Sequence, residues 1–319
     1  MTDNPRKYEF SYIPGFFTDY MELGKRDPNK RVLTQPRLGI LPQSYDTGSS
    51  GDEILSQWKQ LERHLEYLNQ KNSGGESYKV LYVIRHGYSV HNLVRSKVGK
   101  YEWNSNLALK EGGSVEGLGS LSWVDAELMK DGEAVAQTLG ETWANWVKND
   151  GIPLPSKLYT SPLRRCLDTT KLVYSAVLEG NGKTFQPIIK ESLRERLTQH
   201  TCDKRHTRTW IENNYAKHGY QIEVGFEEEN TLWDAAVSKE MDNPDLHVAR
   251  TRKLLEELWD SSEGDLFISL TTHSYTLDTL FEVVGMGRDA FRLGEGAMIA
   301  VLVKRAPAVE KKGKESGPK

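Results

Sequence analysis

Four short stretches hold the residue types that a phosphoryl transfer would use, and each comes after a run that reads as a β-strand. Arg85-His86-Gly87 follows Lys79 to Ile84, and Ser161-Pro162-Leu163-Arg164-Arg165 follows Lys157 to Thr160. Glu191 and Glu195 come after Gln186 to Ile189, and Thr272-His273-Ser274 after Asp265 to Leu270. Open parallel sheets bind ligands at the carboxyl ends of their strands. Two histidines, two or three arginines and a carboxylate are therefore expected on one rim. A phosphate monoester is a dianion whose oxygens match guanidinium forks. A neutral imidazole can attack phosphorus and carry the group, dividing one hard displacement into two easier ones. A carboxylic acid of raised pKa can protonate the leaving oxygen. Arginines and a second, protonated histidine can hold the charge that spreads over the equatorial oxygens. The set requires no metal and no cofactor.

Each residue also has a plainer reading. A single histidine after a strand is usually a loop residue bonded to backbone, and His86 gains weight only beside Arg165 and His273 at other strand ends. Arg194 and Arg196 flank Glu195, so surface ion pairing would explain the same residues, and Glu191 and Asp203 are rival proton donors. His200, Cys202, Asp203 and His206 match no common zinc spacing, and no metal is expected there. His91, next to Asn92, could reach substrate or make a buried hydrogen bond. Arg164, beside Arg165 on a helix, points elsewhere and stays outside the catalytic set. The run 111 to 119 is rich in glycine but lacks Gly-x-Gly-x-x-Gly. Trp103, Trp123, Trp210 and Trp233 are expected in satellite cores.

The elements that must position these groups alternate along the chain. Strand runs alternate with helical patterns at 131–149, 162–179 and 245–260, which predicts a three-layer α/β (αβα) fold with a mainly parallel sheet. Ala297 to Val303 reads as an added edge strand. Residues 1–50 read as an irregular arm, and from Asp52 the positions Ile54, Leu55, Trp58, Leu61, Leu65 and Leu68 share one helical face. The stretch 96–122 reads as a mobile insertion over the site, and 200–244 as a small helical cap. One domain, 1–306, is expected, with 307–319 as a disordered tail.

Composition excludes several classes. The 319 residues are 27% charged and 37% hydrophobic with a formal net charge of -3, so no basic excess points to nucleic acid. No stretch nears the roughly 20 apolar residues that cross a bilayer, and the first ten residues have no signal-peptide core. Cys166 and Cys202 allow one bridge at most, and a chain of this size does not need it. A reducing, cytoplasmic or also nuclear, location is expected.

These motifs resemble those of the histidine phosphatases of the phosphoglycerate mutase-like superfamily. Arg85-His86-Gly87 with Asn92 is similar to its opening signature, and Ser161-Pro162-Leu163-Arg164-Arg165 with Thr169 to its second-arginine motif. Leu193-Arg194-Glu195 resembles the segment of its proton donor, and Thr272-His273-Ser274 stands where it has its second histidine. The N-terminal Pro-Gly-Phe-Phe arm and His200 to Arg205 are most similar to fungal phosphomutase-like proteins related to yeast Pmu proteins. The resemblance covers 79–303 most specifically. It implies His86 as nucleophile, Arg85, Arg165 and His273 as the phosphate pocket, Asn92 as a phosphate or substrate contact, and Glu195 as general acid. Tyr88 stands where many members have Glu or Gln, and Ser274 where Gly is common; both are candidate substrate contacts. The implied activity is hydrolysis of a small phosphorylated metabolite. A phosphomutase and a non-catalytic phosphate-binding module are the alternatives. Neither substrate identity nor oligomeric state is readable.

Overall fold

The computed structural model describes residues 7–46, 55–72, 74–231, 233 and 244–308. Seven strands make the central sheet, in the spatial order β1 (Tyr8–Tyr12), β11 (Met298–Pro307), β3 (Ser77–Arg85), β9 (Phe267–Thr272), β6 (Lys157–Thr160), β7 (Ile188–Ile189) and β8 (Gln221–Ile222). From β3 to β8 the neighbours are parallel, whereas β11 runs antiparallel to both β3 and β1. Two small pairs lie outside it: β2 (Arg31–Val32) with β10 (Arg292–Leu293), and the hairpin β4 (Gly112–Val115) and β5 (Gly119–Ser122).

Apolar content explains which strands are central. Every residue from Val80 to Ile84 and from Phe267 to Thr272 is buried, as expected of parallel strands covered on both faces. The helices α5 (Lys130–Asp150) and α6 (Arg164–Glu179) pack on each other, as do α8 (Pro244–Ser261) and α9 (Ser274–Val283). The remaining helices are α1 (Tyr20–Lys25), α2 (Gln57–Lys71), α3 (Val90–Val98), α4 (Lys100–Ser105) and α7 (Arg208–Tyr215). The α/β class is the one expected.

Several elements differ from the sequence expectation. The last strand is interior, because the N-terminal arm supplies β1 as the edge: Tyr8 to Tyr12 pair with Pro307 to Val303. Tyr8-Glu9-Phe10-Ser11-Tyr12 alternates aromatic and polar residues, a strand signal that the reading of 1–50 as an irregular arm passed over. α2 begins at Gln57 because the Ser56 hydroxyl accepts the amide of Lys59 at 3.3 Å, closing the first turn; Ile54 lies outside the described residues. The stretch 96–122 is folded, not a bare loop. The end of α3, α4 and the β4–β5 hairpin close over their own apolar cluster of Val94, Trp103, Ala108, Val115 and Trp123. The expected cap contributes α7 but also β8, which extends the main sheet; its residues 232 and 234–243 lie outside the described residues. Pro307, expected as the first residue of the tail, instead ends β11, and the Ala308 amide donates to the Lys7 carbonyl. Residues 309–319 lie outside the described residues.

Backbone bonds level the strand ends. The amide of His86 donates to the Thr272 carbonyl at 3.0 Å, that of Ser161 to Thr271 at 3.0 Å, and that of Lys190 to Thr160 at 2.9 Å. The loops after β3, β6, β7 and β9 therefore leave from one rim. The first loop is seated on α5 through two glycines. A Cβ on Gly87 would lie 2.7 Å from the Gly132 carbonyl oxygen, and one on Gly132 only 2.1 Å from the Tyr88 carbonyl oxygen. Glycine lets backbone meet backbone here. Replacing Gly132 by Ala forces α5 and the His86 loop apart, and the expected loss is about 1–3 kcal/mol. Urea denaturation measures it; an unchanged midpoint would refute the tight seat.

Candidate active site

His86 is the first residue beyond β3 and is 2% exposed. Its Nδ1 lies 2.8 Å from the Gly87 carbonyl oxygen. An oxygen acceptor there fixes the proton on Nδ1 and leaves Nε2 with a free lone pair. Burial pushes the His86 pKa well down, and the charges of Arg165 and Arg85 push it the same way. The ring is therefore held in its neutral form. The Gly87 amide donates to Thr169 Oγ1 at 3.0 Å, and Thr169 itself donates to the Arg165 carbonyl at 2.6 Å. The His86 loop is thereby tied to the helix that carries Arg165.

His273 follows β9 and stands at the N-terminus of α9, fully buried, with its ring centre 5.1 Å from that of His86. Its Nε2 lies 2.8 Å from the hydroxyl of Ser161, at the end of β6. The expected protonated state of His273 is not what this environment favours. Burial lowers its pKa well below the ordinary value, with Arg165, His86 and His91 adding to the effect. The negative charge of a phosphoryl group acts in the opposite sense.

Arg165, 1% exposed in the first turn of α6, donates to the Cys202 carbonyl at 2.6 Å and to Asp203 Oδ1 at 2.8 Å. Burial is the largest single effect and disfavours its charge, but Asp203, joined by weaker contributions from Cys202, Cys166 and Asp125, holds its pKa above the ordinary value. Arg85 meets the site differently. Its guanidinium is held by the Leu293 carbonyl at 2.8 Å and Glu295 Oε1 at 2.9 Å. Burial lowers its pKa and Glu295 offsets only part of that. Its charge still acts on both His86 and Glu195.

Glu195 lies on the loop after β7. That loop is pinned by the Thr272 hydroxyl to the Leu193 carbonyl at 2.6 Å, the Thr276 hydroxyl to the Arg194 carbonyl at 2.7 Å, and Arg250 to the Arg194 and Glu195 carbonyls. One carboxylate oxygen accepts the amides of Arg196 and Tyr275 at 3.1 and 3.2 Å. Burial, reinforced by Asp203, pushes the pKa of Glu195 up to about 7 against the pull of Arg165 and Arg85. Arg194, expected as a surface ion-pair partner for Glu195, is buried and pairs instead with Glu191 at 2.7 Å.

A narrow cleft of about 70 Å³ is lined by Arg165 and Glu195 together with His91, Arg95, Trp103 and Tyr275 among others, while His86 and His273 lie outside its lining. His91 connects it to His86, the two ring centres being 5.7 Å apart. Burial and Arg165 hold the His91 pKa well down as well. The chemistry open to this assembly is phosphoryl transfer through a neutral imidazole, with a carboxyl group poised near neutrality beside it.

Residues 81–301 match the family described as the histidine phosphatase superfamily, branch 1. The chain belongs to the histidine phosphatase superfamily. It is 34% identical over 297 residues to a protein described as a probable phosphoglycerate mutase of Arthroderma benhamiae, covering 92% of this chain and 84% of that one. It is 28% identical over 270 residues to the probable phosphoglycerate mutase PMU1 of Saccharomyces cerevisiae, covering 76% and 87%. Among solved structures, the phosphoglycerate mutase of Bacillus anthracis is 18% identical with a TM-score of 0.42, covering 70% of this chain and 88% of that one.

Within this member of the histidine phosphatase superfamily, the structure brings His86, His273, Arg165 and Glu195 together, with Arg85 present through its field and not its fork. Asn92 is 9% exposed, and its side-chain oxygen accepts the amide and hydroxyl of Ser89 at 3.2 and 2.8 Å, capping α3. Only its Nδ2 is left to donate outward. Tyr88 does not line the cleft; its hydroxyl lies 3.2 Å from the exposed Ser96. Ser274 is the first residue of α9, also outside the cleft lining. Of the rival donors, Glu191 is held by Arg194 and Arg205, and Asp203 by Arg165. Donor atoms of His200, Cys202 and Asp203 do gather within 4.8 Å of one another, although their spacing gave no such signal; Asp203 there already serves Arg165, and His206 instead contacts Asp125 at 2.7 Å. Both cysteines are free and buried. Glu295 and Gly132 were missed, since neither sits in a motif; Gly132, inside a helical pattern, was the readable signal.

An acid with a pKa of about 7 implies a definite pH limb. The kcat/KM for an alkyl phosphate should fall as pH rises through about 7, where the carboxyl loses its proton. Glu195→Gln should lower kcat/KM by roughly 10²–10⁴-fold and abolish that limb. Retention of the limb in the variant would assign the acid elsewhere.

Proposed function

We propose that the protein is a phosphatase that hydrolyses the phosphate ester of a small metabolite through a phosphohistidine on His86. The reading is supported by one observation: the neutral His86 ring stands 5.1 Å from that of His273 and 5.7 Å from that of His91, which lines a cleft with Arg165 and Glu195. In the first step His86 Nε2 attacks phosphorus, the P–O bond to the leaving group breaks, and Glu195 gives that oxygen its proton. In the second step the same carboxylate takes a proton from water, which attacks phosphohistidine and releases inorganic phosphate. Arg165 and His273 hold the equatorial oxygens, and Arg85 adds positive potential from behind. Asn92 Nδ2 is a further donor to phosphate or substrate.

A second reading is a phosphomutase, in which the phosphoryl group returns to an acceptor hydroxyl. It is favoured by the names of the relatives, which include probable phosphoglycerate mutases. The two differ in the acceptor. Turnover in ¹⁸O-water should place one heavy oxygen in each released phosphate, whereas isomerised ester without label in phosphate would establish the mutase.

The His86→Ala variant tests participation in both half-reactions. Its kcat for p-nitrophenyl phosphate should drop by several orders of magnitude, on the order of 10⁴-fold or more. Wild-type activity in the variant would overturn the mechanism and favour a binding module.

A further inference from the structure

The charges around the cleft do not cancel. Arg165 is matched by Asp203 at 2.8 Å, and Arg85 by Glu295 at 2.9 Å. Arg95, on α3, also lines the cleft, yet its guanidinium has no hydrogen bond or ion pair to any described residue. Asn104, on α4, lines it too, and among the described residues its carboxamide has no partner either. A guanidinium and a carboxamide thus line one small cleft without an acceptor among the described residues. The cleft's own carboxylates do not supply one, because Asp203 serves Arg165 and Glu195 is held to the Arg196 and Tyr275 amides.

Position separates Arg95 from the phosphoryl group. His91 and Arg95 are four residues apart on α3 and both line the cleft, and the His91 ring centre is 5.7 Å from that of His86. Arg95 therefore stands one helical turn beyond His91 along α3. An arginine fork without a partner among the described residues suits an oxyanion.

We propose that Arg95, assisted by Asn104, binds a second anionic group on the leaving-group side of the substrate. The substrate class is then a phosphomonoester that also carries a carboxylate or a second phosphate. This rests on the phosphatase reading above, and it names a specificity contact, not a catalytic one. It also gives a role to the insertion 96–122, since α4 holds Asn104 against the cleft through Trp103 and its apolar cluster.

The test uses two series of esters on a common chain. Propyl and pentyl phosphate carry one anion; their ω-carboxylate and ω-phosphate counterparts carry two. The wild-type protein should show a higher kcat/KM for the doubly charged esters, and the arm with the larger preference identifies the anion. Arg95→Ala should reduce that preference by about 10- to 100-fold, the range expected for one charge-assisted hydrogen-bonded contact. Asn104→Ala should reduce it less. A wild-type protein without preference, a preference intact in Arg95→Ala, or an equal loss for every ester would each overturn the proposal. Failure of the wild-type protein to hydrolyse any ester would instead refute the phosphatase reading, and this inference with it.

Discussion

The proposed nucleophile must be neutral, buried and close to cations at once, and those demands oppose one another unless the cations are stabilised separately. A buried guanidinium without a partner carries a desolvation cost of several kcal/mol. Asp203 and Glu295 supply partners to Arg165 and Arg85. Arginine is the stronger base by far and keeps its proton, so the histidines, which share the same field and the same burial, give up theirs. Burial sets the direction for His86, His91 and His273 alike, and Arg165 comes second in each case. The same burial has the reverse effect on Glu195, where a carboxyl resists ionisation. One dry, cationic rim therefore produces an imidazole free to attack and a carboxyl able to protonate.

The fold serves that rim by fixing where strands end. Parallel pairing of β3 with β9 and of β9 with β6 sets the register, and amide bonds from His86 and Ser161 into β9 continue it one residue beyond the strands. Helices then begin next to the chemistry: α6 delivers Arg165 and Thr169, and α9 delivers His273 and the Tyr275 amide that meets Glu195. The loop bearing Glu195 has little regular structure of its own. Side chains from β9, α9 and α8 hold its carbonyls in place, which is how a short loop can present a carboxyl in a fixed position.

Much of this was legible in the chain because strand ends and residue types coincide. The run before Arg85 is apolar without a break, and the runs before Ser161 and Thr272 are similar, so the rim could be read before any contact was known. What could not be read were partners distant in sequence. Arg165 finds Asp203 across 38 residues and Arg85 finds Leu293 across 208, and local pattern carries no information about either. Asn92 and Tyr88 were assigned outward roles from their place in a motif, but hydrogen bonds to Ser89 and Ser96 direct their polar atoms first. The order of the outer strands was misjudged because β1 is only five residues long and its alternation was submerged in an arm otherwise without a sustained period. Glu195 shows the remaining limit: its neighbours Arg194 and Arg196 gave it the look of a surface residue, and only the third dimension takes Arg194 inward to Glu191.

The central claim concerns a covalent bond to one ring nitrogen. Wild-type protein mixed with a ³²P-labelled phosphomonoester and quenched within one turnover should carry label on the peptide containing His86, lost in acid and stable in alkali. Label that survives acid, or that maps to a peptide without His86, would contradict the account.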